Sequence, residues 1–229
     1  MKFSVIVAAH NEGPQIASAL KRLRQISSTS PTELIFVDGG SDDATADAAE
    51  DWVDELIRQE TPSRGAQWDA GAQKATGDLL FFLRADTQPP GNWQQALEHF
   101  WLSSQTAPVA AAGFSVDYGD GLGLRLLSAW SNARVRSGLV GADHGLCTTP
   151  EIYKAAGGFP HHPVLEDYEF SKRLAGHGRI VLLPEVIHAA ARRLRSRGPL
   201  KYLCGRLWLE ARYRSGADPQ HLFESTRGL

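Results

Sequence analysis

The residues with the clearest capacity for chemistry are carboxylates that follow apolar segments. Asp86 ends the segment LLFFLRAD, in which five apolar residues lead to an arginine, an alanine and an aspartate. Carboxylate oxygens at such a place suit Mg²⁺ or Mn²⁺ bridging the phosphates of a nucleotide. The alternative is an ordinary solvated aspartate at the end of a strand. The pattern alone leaves both interpretations open.

A second acidic group stands in the segment PVLEDYEF, which places Glu166, Asp167 and Glu169 at the start of a predicted helix. Adjacent carboxylates repel one another, and this repulsion raises a pKa towards the range that is useful for a general base. The alternative is structural, because the helix dipole favours acidic residues in the first turn.

The segment VDGGSDDAT places two glycines after Asp38. Glycine lets a chain turn sharply beside a ligand, since it has no Cβ to obstruct the approach. An ordinary strand-to-helix turn with Ser41 or Asp42 as helix cap explains the same residues. The first strand is not followed by G-x-G-x-x-G, and the chain has no G-x-x-x-x-G-K-[ST] loop, so the usual dinucleotide and P-loop signatures are absent.

The elements that must position these residues alternate in the first half of the chain. Continuous apolar runs predict strands at FSVIVAA, TELIFVD, ELIRQE and DLLFFLRAD, with helical periodicity between them. Strands and helices that alternate through short connections predict parallel pairing in a doubly wound α/β sheet. In such sheets ligands bind beyond the carboxyl ends of the strands, which is where HNE, DGGSDD and RADT fall.

The second half has a looser pattern. The segment LGLRLLSAWSNARVRSGL places Leu122, Leu126, Trp130 and Ala133 on one apolar face of a helix. A further strand is predicted at RIVLLPEVIHAA. We expect one domain over residues 1–195 and a basic helical extension over residues 196–229.

Composition limits the classes of partner. The 229 residues carry a net charge of −2 with a pI near 6.4, which gives no overall footprint for nucleic acid. Basic residues gather late in the chain, where they could lie on anionic lipid, contact a partner subunit or remain solvated. The oligomeric state stays open.

Cysteine usage and apolar stretches bear on the compartment. Cys147 and Cys204 are predicted to be free, buried thiols. The first residues read as a strand and not as an export signal. No stretch approaches the ~20 apolar residues that span a bilayer, so we expect a cytoplasmic protein.

Five segments, in order and spacing, resemble the family-2 inverting glycosyltransferases of the GT-A fold: SVIVAAHNE, FVDGGSDDAT, GAQWDAGAQKATGDLLFFLRADT, GGFP and LEDYEFSKRL. More narrowly they are similar to a short soluble branch, often labelled arsenosugar-biosynthesis glycosyltransferases, whose usual forms include DGGS, HADT and DQG. The resemblance covers roughly residues 3–195. It implies a GT-A-like, mostly parallel doubly wound sheet with helices on both faces, and the branch label is not a substrate assignment.

The resemblance also implies roles for individual residues. The implied nucleotide-binding residues are Ala9, Asn11, Glu12, Asp38 (contacting the base) and Arg64. The implied metal ligands are Asp86 and, as a third ligand, His188, although an inward-facing strand histidine is the alternative there. Asp167 of the Glu166–Asp167 pair would be the base, and Asp143 and His144 in GADHG would lie near the acceptor.

Two positions depart from the family pattern, and one of them is Asp69, which stands where asparagine is usual. Arg84 stands where the family has the first acid, or a histidine, of the metal motif. An arginine there could pair with a phosphate directly, because guanidinium and phosphate form strong paired hydrogen bonds.

The implied function is transfer of a sugar from a nucleotide-diphosphate donor to an acceptor hydroxyl, with inversion and with Mg²⁺ or Mn²⁺. A non-catalytic nucleotide-binding module on the same scaffold is the alternative that Arg84 suggests. A sugar nucleotidyltransferase also uses a doubly wound sheet, but AAHNEGPQ lacks the glycine-rich loop with arginine and lysine that those enzymes carry after the first strand.

Overall fold

The computed structural model describes residues 1–13, 15–104 and 108–226. Its eight-stranded sheet has the order β3-β2-β1-β4-β7-β6-β8-β5. The strands are β1 Phe3–Ala9, β2 Thr32–Asp38, β3 Glu55–Arg58, β4 Leu79–Arg84, β5 Thr87–Gln88, β6 Val109–Asp117, β7 Leu146–Thr148 and β8 Arg179–Ala189.

The first half of the chain forms the parallel half of the sheet, as the alternating pattern predicts. Strands β3, β2, β1 and β4 pair in parallel, and β1 and β4 are almost wholly buried. The register pairs Ala9 with Asp38 and Ala8 with Arg84. The carboxyl ends of β2, β1 and β4 therefore lie side by side, at the edge where the sequence analysis places its polar residues.

The second half joins this sheet through an antiparallel strand. Strand β7 runs antiparallel to both β4 and β6, β6 pairs with β8 in parallel, and β5 pairs with β8 antiparallel at the edge. The prediction of a mostly parallel, doubly wound α/β sheet is confirmed, and the antiparallel pairings are those of β7 and β5.

Helices pack on both faces of the sheet. Their bounds are α1 Gln15–Ile26, α2 Thr45–Ala49, α3 Arg64–Lys74, α4 Trp93–Ser103, α5 Leu122–Arg136, α6 Pro150–Ala155, α7 Glu166–Ala175, α8 Arg192–Arg197, α9 Pro199–Arg214 and α10 Pro219–Thr226, with 3₁₀ turns at Glu50–Trp52 and Ala142–His144. One core lies around Phe3, Phe81 and Trp93. The other lies around Trp68 and Phe82.

Helix α5 packs on a face other than the one the apolar pattern indicates. Leu122 and Leu126 are 77% and 62% exposed, whereas Leu124 and Leu127 are buried. The inward face is partly polar because two of its side chains bind backbone groups at the end of β6 and just after it. The Ser128 hydroxyl accepts from Tyr118 N–H, and the Asn132 amide bonds both N–H and C=O of Val116.

The basic extension is helical over its described part, as predicted. Its helix α9 begins beside α5, since a Cβ added at Gly123 would lie 3.1 Å from Pro199 Cγ. Both cysteines are free, but only Cys147 is buried, and the prediction of a buried Cys204 is wrong. No helix within the described ranges is both long enough and apolar enough to cross a bilayer.

Candidate active site

The ends of β1 and β2 are tied together by a buried glutamine of α3. The Gln67 amide donates to the Ala9 carbonyl at 2.7 Å and to the Val37 carbonyl at 2.9 Å. The turn after β2 passes so close that a Cβ added at Gly39 would lie 2.9 Å from Gln67. The glycine is thus required by close approach to Gln67, within the strand-to-helix turn.

Asp38 uses its carboxylate to close this turn. One oxygen accepts the Ser41 N–H at 2.9 Å and the other accepts the Ser41 hydroxyl. The loop after β1 is bound to this turn, because Asn11 N–H donates to Ser41 Oγ and Asn11 Oδ1 accepts the Asp42 N–H. Asn11 has a positive φ of 53°, which asparagine tolerates better than most residues.

The loop continues into Glu12, whose N–H donates to Thr45 Oγ1 at 2.9 Å. Ala9, Asn11, Glu12 and Asp38 therefore stand together at the carboxyl edge of the sheet. Their predicted contacts with a nucleotide stay predictions.

Arg84 joins two aspartates at the end of β4. Its guanidinium lies 2.8 Å from Asp86 Oδ2 and 2.5 Å from Asp143 Oδ1, and the Tyr118 hydroxyl donates to Asp143 Oδ2 at 2.8 Å. Burial would raise the pKa of Asp143, but Arg84 and Tyr118 hold it below its ordinary value. Burial would likewise lower the pKa of Arg84, but Asp143 and Asp86 raise it.

The predicted metal ligands offer one carboxylate close to the site. Asp86 is about one-fifth exposed and paired with Arg84, whereas the His188 side chain is 61% exposed and faces Asp117 at 3.5 Å. The inward-facing alternative for His188 is therefore wrong. Across the described residues, no three His, Cys, Asp or Glu side chains are grouped to hold a metal ion. Mg²⁺ is commonly bound by one or two carboxylates plus substrate phosphates. Asp86 therefore fits a cation that is also held by the phosphates of a bound nucleotide.

Glu166 and Asp167 begin helix α7 after a strained residue. Leu165 is buried and has φ 61° and ψ 22°, a left-handed conformation that is uncommon for a branched apolar side chain. The two carboxylates have different partners. Glu166 lies 2.9 Å from Arg64 Nη1, and Asp167 Oδ1 lies 2.9 Å from Arg206 Nη2.

Backbone groups also bind Asp167. Its Oδ1 accepts the Tyr168 N–H at 2.8 Å and its Oδ2 accepts the Ala142 N–H at 3.2 Å. Burial would raise the pKa of Asp167, but Arg206, above all, holds it well below its ordinary value. Burial, together with Asp167, raises the pKa of Glu166 despite Arg64. One pKa of the pair is raised, but it is that of Glu166 and not of the expected base, and burial is its main cause.

Helix α9 contributes side chains that the sequence analysis missed. Arg206 bonds Glu210 at 2.8 Å as well as Asp167, and Arg134 of α5 lies 2.7 Å from the same Glu210. Tyr202 approaches from one turn earlier on α9. The available signal was an arginine within the apolar stretch LCGRLWL, but nothing local identifies its partner.

These groups surround one cavity of about 70 Å³. The lining residues that carry charge or a hydroxyl are Arg64, Arg84, Tyr118, Ser131, Arg134, Asp143, Asp167, Tyr168, Tyr202 and Arg206. Asp86 adjoins the cavity through its pair with Arg84, and Asp38 stands along the strand edge beside Ala9. Arg64, Asp143 and Asp167 are thus brought to one place.

His144 stands behind this cavity and is fully buried. Its Nδ1 faces the Phe114 carbonyl at 2.9 Å, so Nδ1 carries the proton, and Nε2 accepts from the Ser131 hydroxyl at 2.9 Å. Burial lowers the pKa of His144, which favours this neutral form. Ser131, and not His144, reaches the cavity.

The fold and the cavity at its carboxyl edge define an α/β protein with a GT-A-type architecture. The family model described as glycosyl transferase family 2 matches residues 4–134, more than half of the chain. The chain therefore belongs to glycosyl transferase family 2, which confirms the resemblance at the level of the family.

Relatives agree with this membership. Glycosyltransferase AglE of Haloferax volcanii is 25% identical over 190 residues, which cover 76% of this chain and 62% of AglE. The mannosyltransferase PcManGT from Pyrobaculum calidifontis, solved with GDP-Man and Mn²⁺, matches with a TM-score of 0.70 at 20% identity over 95% of this chain and 66% of that one. Glucosyl-3-phosphoglycerate synthase from Mycobacterium tuberculosis matches at 0.60 and 19% identity, covering 95% and 81%. The chain spans less than two thirds of AglE, and the structural matches show the shared fold.

Proposed function

We propose that the chain transfers a sugar from a nucleotide-diphosphate donor to an acceptor hydroxyl, with inversion at the anomeric carbon. The observation that carries the proposal is the convergence of Arg84, Asp143, Asp167 and Arg206 on one cavity at the carboxyl edge of the sheet. Solved proteins of similar fold contain donors such as GDP-Man and UDP-GlcNAc, which supports a nucleotide sugar as the donor here.

The donor would lie along the edge made by Ala9, Asn11, Glu12 and Asp38, with its diphosphate towards Arg84. Arg84 and Arg64 are the cationic groups at that end of the cavity, and both now bind carboxylates. A diphosphate can take over such hydrogen bonds because guanidinium pairs with phosphate as readily as with carboxylate. Asp86 would hold Mg²⁺ or Mn²⁺ together with phosphate oxygens, and the cation would offset the charge that grows on the leaving diphosphate. The predicted role of His188 as a further ligand stays a prediction.

Asp167 would accept the proton of the acceptor hydroxyl. We assign this role to Oδ2, since Oδ1 already accepts from Arg206 and from the Tyr168 N–H. As the proton moves to Asp167, the acceptor oxygen bonds to the anomeric carbon from the face opposite the leaving group. The bond from that carbon to the diphosphate breaks, and the nucleoside diphosphate departs with the electron pair. Asp143 and Ser131 would contact the acceptor.

The ion pair between Arg206 and Asp167 must break or lengthen for this step. Its guanidinium keeps the pKa of Asp167 well below the ordinary value, which makes the carboxylate a weak base. Arg206 also has Glu210 as a partner 2.8 Å away, so it can leave Asp167 without being left unpaired. Donor phosphates would favour that change.

The alternative is a nucleotide-binding module without catalysis. The specific observation in its favour is that the expected metal ligand and the expected base are both held by arginines, Asp86 by Arg84 and Asp167 by Arg206. If those pairs persist with donor bound, the chain would bind a nucleotide sugar and leave it intact.

A turnover assay separates the two functions. The chain is incubated with Mn²⁺ and a panel of UDP- and GDP-sugars, and release of nucleoside diphosphate is measured. We expect Asp167→Asn and Asp86→Asn each to lower turnover by about 10²- to 10⁴-fold, the usual contribution of a general base or of a comparable electrostatic group. The control is Asp47→Asn, at an 83% exposed carboxylate on α2. Binding of a donor without turnover, or turnover that neither variant changes, would contradict the transferase.

A further inference from the structure

Helix α9 carries apolar residues on two sides: Leu203 and Leu209 pack inward, and a second set is exposed. The face towards the cavity carries Tyr202, Arg206 and Glu210, and Glu210 is only 4% exposed. The outward face is apolar, with Leu200, Leu207 and Trp208 exposed by 72%, 47% and 44%. In a helix that merely covers a globular domain, the apolar stripe faces the core. Core packing therefore does not explain the exposed apolar residues of α9.

The stripe follows helical spacing. Leu200, Cys204, Leu207 and Ala211 recur at intervals of three or four residues, and all four are exposed. Residues three or four apart lie on one side of a helix. The stripe thus runs along most of α9, and Trp208 adds a large aromatic ring beside it.

The neighbouring helix α5 adds a second exposed stripe. Leu122, Leu126, Ala129 and Ala133 are exposed at the same spacing. The first turn of α5 lies against Pro199 at the start of α9, through Gly123. We call the two stripes together the outer apolar surface. Its residues are Leu122, Leu126, Ala129, Ala133, Leu200, Cys204, Leu207, Trp208 and Ala211.

The exposed charges around this surface are mainly positive. Residues 192–214 contain eight Lys or Arg and one acidic residue, a net charge of +7 in a chain whose total is −2, although one of the eight, Arg206, faces the cavity. The one acidic residue is Glu210, which is buried and bound by Arg134 and Arg206. Lys201 and Arg212 of α9 are exposed beside the stripe. On α5, Arg125 and Arg136 are exposed, and Arg125 makes an exposed pair with Asp120.

We propose that the outer apolar surface binds the interface of an anionic phospholipid bilayer, with α9 lying along the membrane plane. A helix with an apolar face, flanking Lys and Arg, and a tryptophan is the combination that binds at the headgroup boundary. Basic residues near the surface of anionic lipid strengthen such binding. The excess of positive charge disfavours a second copy of this chain, because two such surfaces would repel each other.

This binding would place lipid next to the cavity. Tyr202 and Arg206 reach the cavity from the inner side of the same helix whose outer side would lie in the interface, and an α-helix is about 10 Å across. An acceptor held in the membrane surface would be close to Asp167. The lipid-binding proposal itself stands on the surface alone and does not require the transferase function.

Vesicle flotation of the full chain tests the proposal. The two lipid samples are phosphatidylcholine alone and phosphatidylcholine mixed with phosphatidylglycerol. We expect flotation with the mixed vesicles, little with phosphatidylcholine alone, and a decrease at high salt, because surface attraction is screened. Equal binding to both lipids, or no binding to either, would overturn the proposal.

Two variant pairs test which residues bind. Lys201→Gln with Arg212→Gln should weaken binding to the mixed vesicles about thirtyfold, given the usual contribution of basic residues near anionic lipid. The matched control is Lys74→Gln with Arg22→Gln, at exposed residues of α3 and α1. Leu200→Ser with Trp208→Ser should also abolish most binding, against Leu102→Ser at a 63% exposed leucine of α4.

Size-exclusion chromatography in the absence of lipid tests the competing explanation, which is an interface between copies of the chain. If the chain is a dimer that Leu200→Ser with Trp208→Ser converts to a monomer, the surface is a protein interface and the membrane proposal fails. Should the serine variant not fold, the Gln variant and the salt dependence of the unmodified chain still decide the matter.

Discussion

The amino and carboxyl ends of the parallel strands both carry carboxylates that accept several hydrogen bonds. The groups that donate these hydrogen bonds differ between the two ends. At the amino end, Glu33 accepts from Lys2 Nζ at 2.9 Å, from the Ser4 hydroxyl, and from the N–H and hydroxyl of Thr76 at 2.6 and 2.7 Å. Burial would raise the pKa of Glu33, but these donors lower it to about 2. Most of these hydrogen-bond donors are neutral groups, namely two hydroxyls and one backbone N–H.

At the carboxyl end, the donors are mainly guanidinium groups. Arg84 binds Asp86 and Asp143, and Arg206 binds Asp167 and Glu210. Arg84 and Arg206 each have two carboxylate partners, so each can exchange one of them for a phosphate. The amino end thus serves to hold strands together, whereas the carboxyl end can rearrange around a charged substrate.

The largest effect on stability should follow from Arg84→Met. The side chain is 22% exposed and its loss leaves Asp86 and Asp143 without their cation. Removing one partner of a largely buried ion pair costs about 3 kcal/mol of unfolding free energy. Urea unfolding measures this change, and the turnover assay should show a loss of transfer.

The control for Arg84→Met is Arg58→Met, which removes a pair with Asp47 at the surface, where the side chains are 52% and 83% exposed. Exposed pairs contribute about 0–1 kcal/mol. Adding Asp143→Asn to Arg84→Met should recover part of the lost stability, because it removes an unpaired charge. If Arg84→Met destabilises no more than Arg58→Met, the carboxyl end is not the strained, charge-balanced site described above.

A smaller and purely structural effect should follow from Glu33→Gln. We expect a loss of about 1–2 kcal/mol at neutral pH, since charged hydrogen bonds become neutral ones, and unchanged turnover. The pKa of Glu33 is lowered from 4.5 to about 2 on folding. Its contribution is therefore present above about pH 4.5 and lost as the pH falls towards 2. The difference in the free energy of unfolding between the variant and the unmodified chain should shrink over that range of pH. A change in turnover would contradict a purely structural role for the amino end.

The sequence was sufficient for the parallel half of the fold because that half is encoded locally. Strands such as FSVIVAA and DLLFFLRAD are continuous apolar runs, and their ends must meet at one edge. Asp143 and Asp167 were selected by resemblance, and they line the cavity. The roles predicted for Ala9, Asn11, Glu12, Asp38 and Arg64 also come from the resemblance, and they stay predictions.

Two features could not be read from periodicity. The pair of Asp167 with Arg206 joins residues 39 positions apart through a helix of the extension, and no local pattern encodes such a partner. The packing face of α5 was misjudged because Ser128 and Asn132 face inward to bind the backbone of β6. Apolar periodicity treats a polar residue as outward, and it fails where a polar side chain replaces a strand partner.

The most subtle test of the carboxyl end is the pH profile of Arg206→Gln. Arg206 lowers the pKa of Asp167, so its removal should raise that pKa towards the ordinary value near 3.9. A base works when it is deprotonated, and the acid limb of kcat/KM should therefore move to higher pH, by about one unit or more. Arg206→Lys keeps a positive charge and should keep the limb low. Arg214→Gln, at a neighbouring arginine that donates to the Tyr168 hydroxyl, should leave it in place. A role for Arg206 in structure alone would lower the rate equally at every pH without moving the limb, so the position of the limb distinguishes control of the base from support of the fold.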